Sequence, residues 1–173
     1  MPDGRSVLLK AYDVTAGPLY EQPLDGAARR LPLGDVVDAQ IGPSQSVSQN
    51  GTIAFVGTQP GRANEIYALT AGASAPQRLT DFNAATNALH LGRVSTVRWD
   101  SPDGFREAGV LTYPPDYVAG RRYPLVLRIH GGPTETSLAA FEPFYQSAAA
   151  RGYLVFAPNY RGSSNLGSAF EHA

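Results

Sequence analysis

The stretch "YPLVLRIHGGPTET", residues 123–136, decides how the second half of this chain folds. Its core, residues 125–129, is nearly continuously apolar, which is typical of a strand covered on both faces. Gly131 and Gly132 follow at the carboxyl end of that strand. Because glycine leaves its amide bare of side chain, two such amides can point at one negative charge, although a glycine pair also serves as a simple tight turn. The stretch therefore predicts a buried strand that leads into an anion-binding loop.

The residues on either side of this stretch extend the pattern into a sheet. Upstream, residues 94–100 and 107–113 predict an antiparallel hairpin that Pro114 and Pro115 terminate. Downstream, apolar residues at helical spacing predict a short helix, with Pro143 in its first turn and Gly152 as its C-terminal cap. A second buried strand is expected over residues 154–157. Strand, helix and strand at this spacing predict one right-handed crossover, and therefore the beginning of a mostly parallel sheet.

The first half of the chain contains an internal repeat. "DGRSVLL" and "NGTIAFV" start 47 positions apart, at residues 3 and 50, and each is an Asx-Gly turn that leads into an apolar strand. The same offset places Leu19-Tyr20 on Ile66-Tyr67, and a one-residue slip places Arg30-Leu31 on Arg78-Leu79. A repeat of this length fits one blade of a β-propeller, although two similar hairpin pairs can also occur in any β-rich domain.

Composition excludes several classes of function. The 173 residues carry a formal net charge of -1 without long runs of one sign, so neither nucleic acid nor an anionic membrane surface is an expected partner. There is no cysteine, which excludes disulfides, thiol catalysis and cysteine-ligated metals. The N-terminal stretch shows no targeting signal, which leaves the compartment open with the cytoplasm favoured.

Residues 123–170 resemble the start of the catalytic domain of the prolyl oligopeptidase family of serine peptidases, in its acylaminoacyl-peptidase and dipeptidyl-aminopeptidase branches. The motifs are "HGGP", the pair Gly152-Tyr153 and "PNYRGSS", in that order and about thirty residues apart. The resemblance implies a mixed β and α/β fold: blades of an incomplete β-propeller over residues 1–93, then the N-terminal part of an α/β-hydrolase domain over residues 94–173.

The resemblance also implies roles for particular residues. The Gly132 N–H would stabilise the oxyanion, with Gly131 allowing the chain to approach, whereas His130 would not be the histidine of the catalytic triad. Arg161 would pin the loop after its strand, with a contact to substrate as the less favoured role. Ser163 and Ser164 lack the Gly-x-Ser-x-Gly elbow of a nucleophile.

No Gly-x-Ser-x-Gly occurs in the chain, and the first residues lie within a blade turn, so we expect an internal fragment that lacks the Ser-Asp-His triad and is inactive alone. The resemblance implies hydrolysis of short peptides through an acyl-enzyme, with neither metal nor organic cofactor. Two alternatives stay open. They are an esterase or lipase with the same fold, and a propeller binding module with a hydrolase-like tail. The oligomeric state is left open.

Overall fold

A computed structural model describes residues 1–38, 44–132 and 134–173 of the chain. These residues form mostly β-sheet with a few short helices. Within the described ranges, no helix is both long and apolar enough to cross a membrane. The first sheet contains three antiparallel strands in the order in which they occur along the chain: β1 (Ser6–Lys10), β2 (Leu19–Pro23) and β3 (Arg29–Arg30).

The second sheet is antiparallel throughout. Its strands are β4 (Val37–Asp38), β5 (Ser46–Val47), β6 (Ile53–Gln59), β7 (Arg62–Leu69) and β8 (Gln77–Arg78). The order is β4-β6-β7-β8, and β5 also pairs with β6. The helix α1 (Ala84–Asn87) follows this sheet.

The repeat found in the sequence is confirmed as a repeat of strands. Tyr20 lies opposite Arg30 in the first sheet, and Tyr67 lies opposite Arg78 in the second. The two tyrosines differ in their surroundings, however, because Tyr67 is 3% exposed whereas Tyr20 is only half-buried. The correspondence therefore holds for strand order and not for every side chain.

One hydrophobic core joins these two sheets. The ring of Phe55 stacks on that of Tyr67 with 6.0 Å between centroids. Burying a large apolar side chain contributes about 1.5–3 kcal/mol, so a shared cluster of this size holds the two sheets together. Its buried members are Leu19, Leu31, Leu33, Val36, Ile53, Phe55, Tyr67 and Leu69.

The third sheet contains the predicted hairpin and the strand-helix-strand unit. Its elements are β9 (Val94–Asp100), β10 (Arg106–Thr112), β11 (Leu125–Leu127), α2 (Pro143–Ala149) and β12 (Leu154–Asn159), and α3 (Ser168–Glu171) follows. The strand order is β11-β12-β10-β9. Pro143 opens α2 as predicted. The C-terminal cap is Ala150 and not the predicted Gly152, because the helix ends two residues earlier; Gly152, with φ of +89°, lies in the turn that follows and donates its N–H to the Ala149 carbonyl at 2.8 Å.

One expectation about this sheet is confirmed and another is wrong for the described residues. β11 and β12 pair in parallel across α2, as predicted for the start of a parallel sheet, while β10 is antiparallel to both of its neighbours. The strand of residues 125–129 is not covered on both faces, because Leu125 and Leu127 are each 56% exposed. The physical reason is that β11 lies at the edge of the described sheet, while α2 packs mainly against β12 and β10 and leaves the faces of β11 uncovered.

Candidate functional site

The glycine pair lies in a loop just beyond β11. Gly132 has φ of +62°, in the left-handed region that favours glycine, and nothing lies within 4 Å of where a Cβ on Gly131 would be. Both glycines are exposed, and among the described residues no acceptor takes a hydrogen bond from either amide. Pro133, the last residue of the motif, lies outside the described residues. The two amides are thus available donors, and the oxyanion role of Gly132 stays a prediction.

His130 is held by the loop that follows β12. Its Nε2 lies 2.9 Å from Ser163 Oγ, and its ring stacks on Tyr160 with 4.4 Å between centroids. The Tyr160 hydroxyl in turn donates to the His130 carbonyl at 2.7 Å. These contacts anchor the residue that immediately precedes the glycine pair.

Ser163 lies next to His130, but its environment is not that of a nucleophile. Its side chain is 0% exposed, and its hydroxyl donates to the Tyr160 carbonyl at 2.6 Å. The hydroxyl oxygen therefore accepts a hydrogen bond from the Nε2–H of His130, whereas a catalytic histidine accepts the hydrogen bond of its serine. Ser164 donates to the Thr134 carbonyl. Both serines therefore hold the loop after β12 in place, Ser163 through Tyr160 and His130 and Ser164 through Thr134.

Arg161 has the structural role expected of it. Its guanidinium pairs with Asp103 and, at 3.3 Å, with Glu107, and it lies 5.1 Å from the centroid of Phe105. The Ser101 hydroxyl and the Arg161 guanidinium lower the pKa of Asp103, and Asp103 raises the pKa of Arg161. The arginine thus ties the loop after β12 to the turn of the β9–β10 hairpin.

A cavity of about 850 Å³ lies beside the glycine loop and is lined from both halves of the chain. No sequence motif predicted this cavity, because its walls come from segments that are far apart along the chain. Burial and the Glu142 carboxylate raise the pKa of Tyr145 in this wall. Among the described residues, no three His, Cys, Asp or Glu side chains gather as metal ligands would. Residues that carry charge or a phenol into the wall are Lys10, Tyr12, Arg128, Glu135, Glu142 and Tyr145.

Comparison with known proteins gives relatives of one kind. No family model matches the chain. Over 117 residues the chain is 32% identical to an uncharacterized peptidase, YuxL, of Bacillus subtilis, an alignment that covers 67% of the chain and 18% of that protein. Over 58 residues it is 42% identical to dipeptidyl aminopeptidase BIII of Pseudoxanthomonas mexicana, which covers 34% of the chain and 8% of that protein.

A solved structure shares the fold over nearly the whole chain. An acylaminoacyl peptidase in complex with Z-Gly-Gly-Phe-chloromethyl ketone superposes with a TM-score of 0.78 at 22% identity, over 96% of this chain and 25% of that one. The chain belongs to the prolyl oligopeptidase family. This prolyl oligopeptidase family chain spans less than a fifth of the length of the two curated relatives, at 18% and 8%.

Proposed function

We propose that this chain provides the oxyanion loop of a serine peptidase that hydrolyses short peptides through an acyl-enzyme. The observation that carries the proposal is the pair of exposed Gly131 and Gly132 amides, which have no acceptor among the described residues and lie in the loop beside the 850 Å³ cavity. Losing one such donor raises the barrier of acyl transfer by about 3 kcal/mol, so a preorganised loop of this kind is a major part of the catalytic machinery.

In the proposed reaction, a serine from outside residues 1–173 attacks the peptide carbonyl. The Gly132 N–H and the amide that follows the serine hold the developing negative charge, and water then hydrolyses the acyl-enzyme. The peptide-like chloromethyl ketone bound by the similar acylaminoacyl peptidase supports a peptide as the substrate class. No metal or organic cofactor takes part in this scheme.

The proposed architecture assigns residues 1–93 to blades of a β-propeller and residues 94–173 to the N-terminal part of an α/β-hydrolase domain. Two antiparallel sheets that share one hydrophobic core support the first assignment. The order β11-β12-β10-β9, with α2 in the crossover between two parallel strands, supports the second. A propeller beside the cavity would limit access to short substrates.

We expect the purified 173-residue chain to remain unlabelled by a serine-directed fluorophosphonate probe, because it lacks a nucleophile elbow and Ser163 is buried. The measurement is the intact mass after incubation with the probe. Stoichiometric labelling would contradict the proposal, and Ser163→Ala and Ser164→Ala variants would then show whether either serine had reacted. Heat-denatured chain serves as the control for non-specific reaction.

The alternatives make different predictions for the coding sequence beyond residue 173. A Gly-x-Ser-x-Gly elbow within about a hundred residues is expected for a hydrolase. An intact gene without such an elbow would favour a propeller binding module. The esterase hypothesis would be favoured if the protein had the elbow and cleaved p-nitrophenyl esters but no peptides.

A further inference from the structure

We propose that Asn159 is a positioning residue that fastens the loop after Gly131 and Gly132 to the loop around Val14, in the first half of the chain. The proposal rests on the proposed function only for the catalytic consequence of this link. The link itself is read from contacts among three places: the loop of residues 13–16, the loop of residues 134–141 and the carboxyl end of β12 at Asn159.

The side chain of Asn159 uses both of its polar atoms to join two loops. It is 0% exposed. Its Oδ1 accepts a hydrogen bond from the Ser137 N–H at 2.7 Å, and its Nδ2 donates to the Ser137 carbonyl and to the Val14 carbonyl, both at 3.1 Å. A buried amide with all three bonds satisfied fixes its partners, since breaking any of them would leave a buried polar group without a partner.

Val14 is held in a conformation that it would not adopt alone. Its φ of 61° is the one positive value at a non-glycine residue in the described ranges, and a β-branched side chain makes this region costly. Asn165 supports it twice, because the Asn165 carbonyl accepts the Val14 N–H and the Asn165 Nδ2 donates to the Val14 carbonyl, each at 2.9 Å. Such strain persists only where the surroundings over-determine it.

The same two loops meet directly beside this point. The Ala139 N–H donates to the Thr15 carbonyl at 2.7 Å, and further along the loop the Phe141 N–H donates to Thr58 Oγ1 at 3.2 Å. The loop after the glycines is therefore fastened to the first half at two amides. Asn159 is the side chain that binds both loops at once. Its partner in the loop after the glycines, Ser137, lies five residues after Gly132. Loss of the Asn159 side chain would free the loop that carries the available amides.

The test is amide hydrogen exchange in the 173-residue chain, measured residue by residue. In Asn159→Ala, exchange at Ser137 is expected to accelerate at least about tenfold more than exchange at Val110 in the core of β10, because local opening and global unfolding are separate events. In the matched variant Asn165→Ala, which removes a bond to Val14 but none to Ser137, exchange at Ser137 is expected to stay within about threefold of wild type. Equal acceleration at Ser137 and Val110 in Asn159→Ala would overturn the proposal.

A second variant covers the case in which Asn159→Ala does not fold. Asn159→Asp keeps the shape and the acceptor for the Ser137 N–H but removes both donors. Exchange at Ser137 should then stay slow, while exchange at Ala139 should accelerate about tenfold, because the Val14 carbonyl loses its bond from residue 159 and faces a carboxylate oxygen instead, keeping only its bond from Asn165. Unchanged exchange at Ala139 would refute the link to Val14.

A catalytic measurement separates the link from the proposed function. In a protein that joins this chain to a nucleophilic serine, Asn159→Asp is expected to lower kcat about tenfold and to leave KM within about twofold, since an oxyanion contact acts in the transition state. Exchange that changes as expected while kcat is unaffected would uphold the link and reject the oxyanion role of the loop.

Discussion

Replacing Gly92 with alanine is expected to lower the free energy of unfolding by about 3 kcal/mol or more. A Cβ at this position would lie 1.9 Å from the Tyr113 carbonyl oxygen and 3.4 Å from the Cβ of Ala149. The residue cannot move away easily, because its N–H donates to Gln146 Oε1 at 2.8 Å and its carbonyl accepts from Gln146 Nε2 at 3.0 Å. Relieving the overlap therefore breaks two buried hydrogen bonds between α2 and the segment that leads into β9.

Urea denaturation followed by circular dichroism measures this change. The matched control is Gly61→Ala, in the turn between β6 and β7, where no atom lies within 4 Å of the added Cβ and φ is outside the left-handed region. There the free energy of unfolding should change by less than about 1 kcal/mol, with stabilisation possible through a less flexible unfolded chain. Equal effects of the two substitutions would mean that Gly92 is not packed as described.

Replacing Glu65 with glutamine is the second large effect, with an expected loss of about 2 kcal/mol at pH 7. Glu65 is 2% exposed on β7, and its carboxylate accepts hydrogen bonds from the Thr80 hydroxyl, the Phe82 N–H at 3.0 Å and the Asn83 N–H at 2.8 Å. An uncharged amide weakens these bonds, and its NH₂ group would face donors. The segment that joins β8 to α1 would lose its anchor.

The same residue gives a pH dependence with a definite sign. Burial raises the pKa of Glu65, but the hydrogen bonds from Thr80, Asn83 and Phe82 outweigh burial, so the pKa in the folded chain is below its ordinary value of 4.5. A carboxylate with a lowered folded pKa stabilises the fold above pH 4.5, and this contribution is lost as the pH falls through the folded pKa.

The free energy of unfolding should therefore fall more steeply below pH 4.5 in the wild type than in Glu65→Gln. Denaturation curves between about pH 7 and pH 3 measure the difference. Glu171→Gln, at a carboxyl with no hydrogen bond from its side chain among the described residues, should leave the wild-type profile in place. Parallel profiles for wild type and Glu65→Gln would contradict the assignment.

Local signals predicted the elements of the third sheet well. The start of α2 followed from Pro143, and Gly152 marked the turn just beyond its end, because both residues act on the chain within about one turn of the helix. The exposure of β11 did not follow from its apolar residues, because burial depends on which strands lie beside it. An apolar run is compatible with either a central or an edge position.

The repeat shows a different limit. Tyr20 and Tyr67 occupy matching places in the sequence, yet Tyr20 lies opposite Leu9 whereas Tyr67 lies opposite Phe55, which is one position earlier in the repeat. A shift of one residue in pairing moves side chains to the other face of a strand. This register shift accounts for the burial of Tyr67 alone, and it has no signature in a single sequence.

In the candidate site, a motif predicted the glycine pair and the role of Arg161, whereas nothing predicted the contact between Val14 and Asn159. The two partners are 145 positions apart. A β-branched residue also gives no hint of left-handed backbone, a region that it rarely adopts. Contacts of this kind depend on the assembled fold.

The separation of Val14 from its partners along the chain also determines when, during synthesis, the loop around Val14 can fold. At roughly 5–20 residues per second, translation takes on the order of ten seconds to proceed from Val14 to Asn159, which is 145 positions further on. During that interval the chain around Val14 has neither asparagine to hold it, so its strained backbone conformation is adopted only after Asn165 has left the ribosome. The loop around Val14 thus reaches its final backbone conformation well after its own residues have been synthesised.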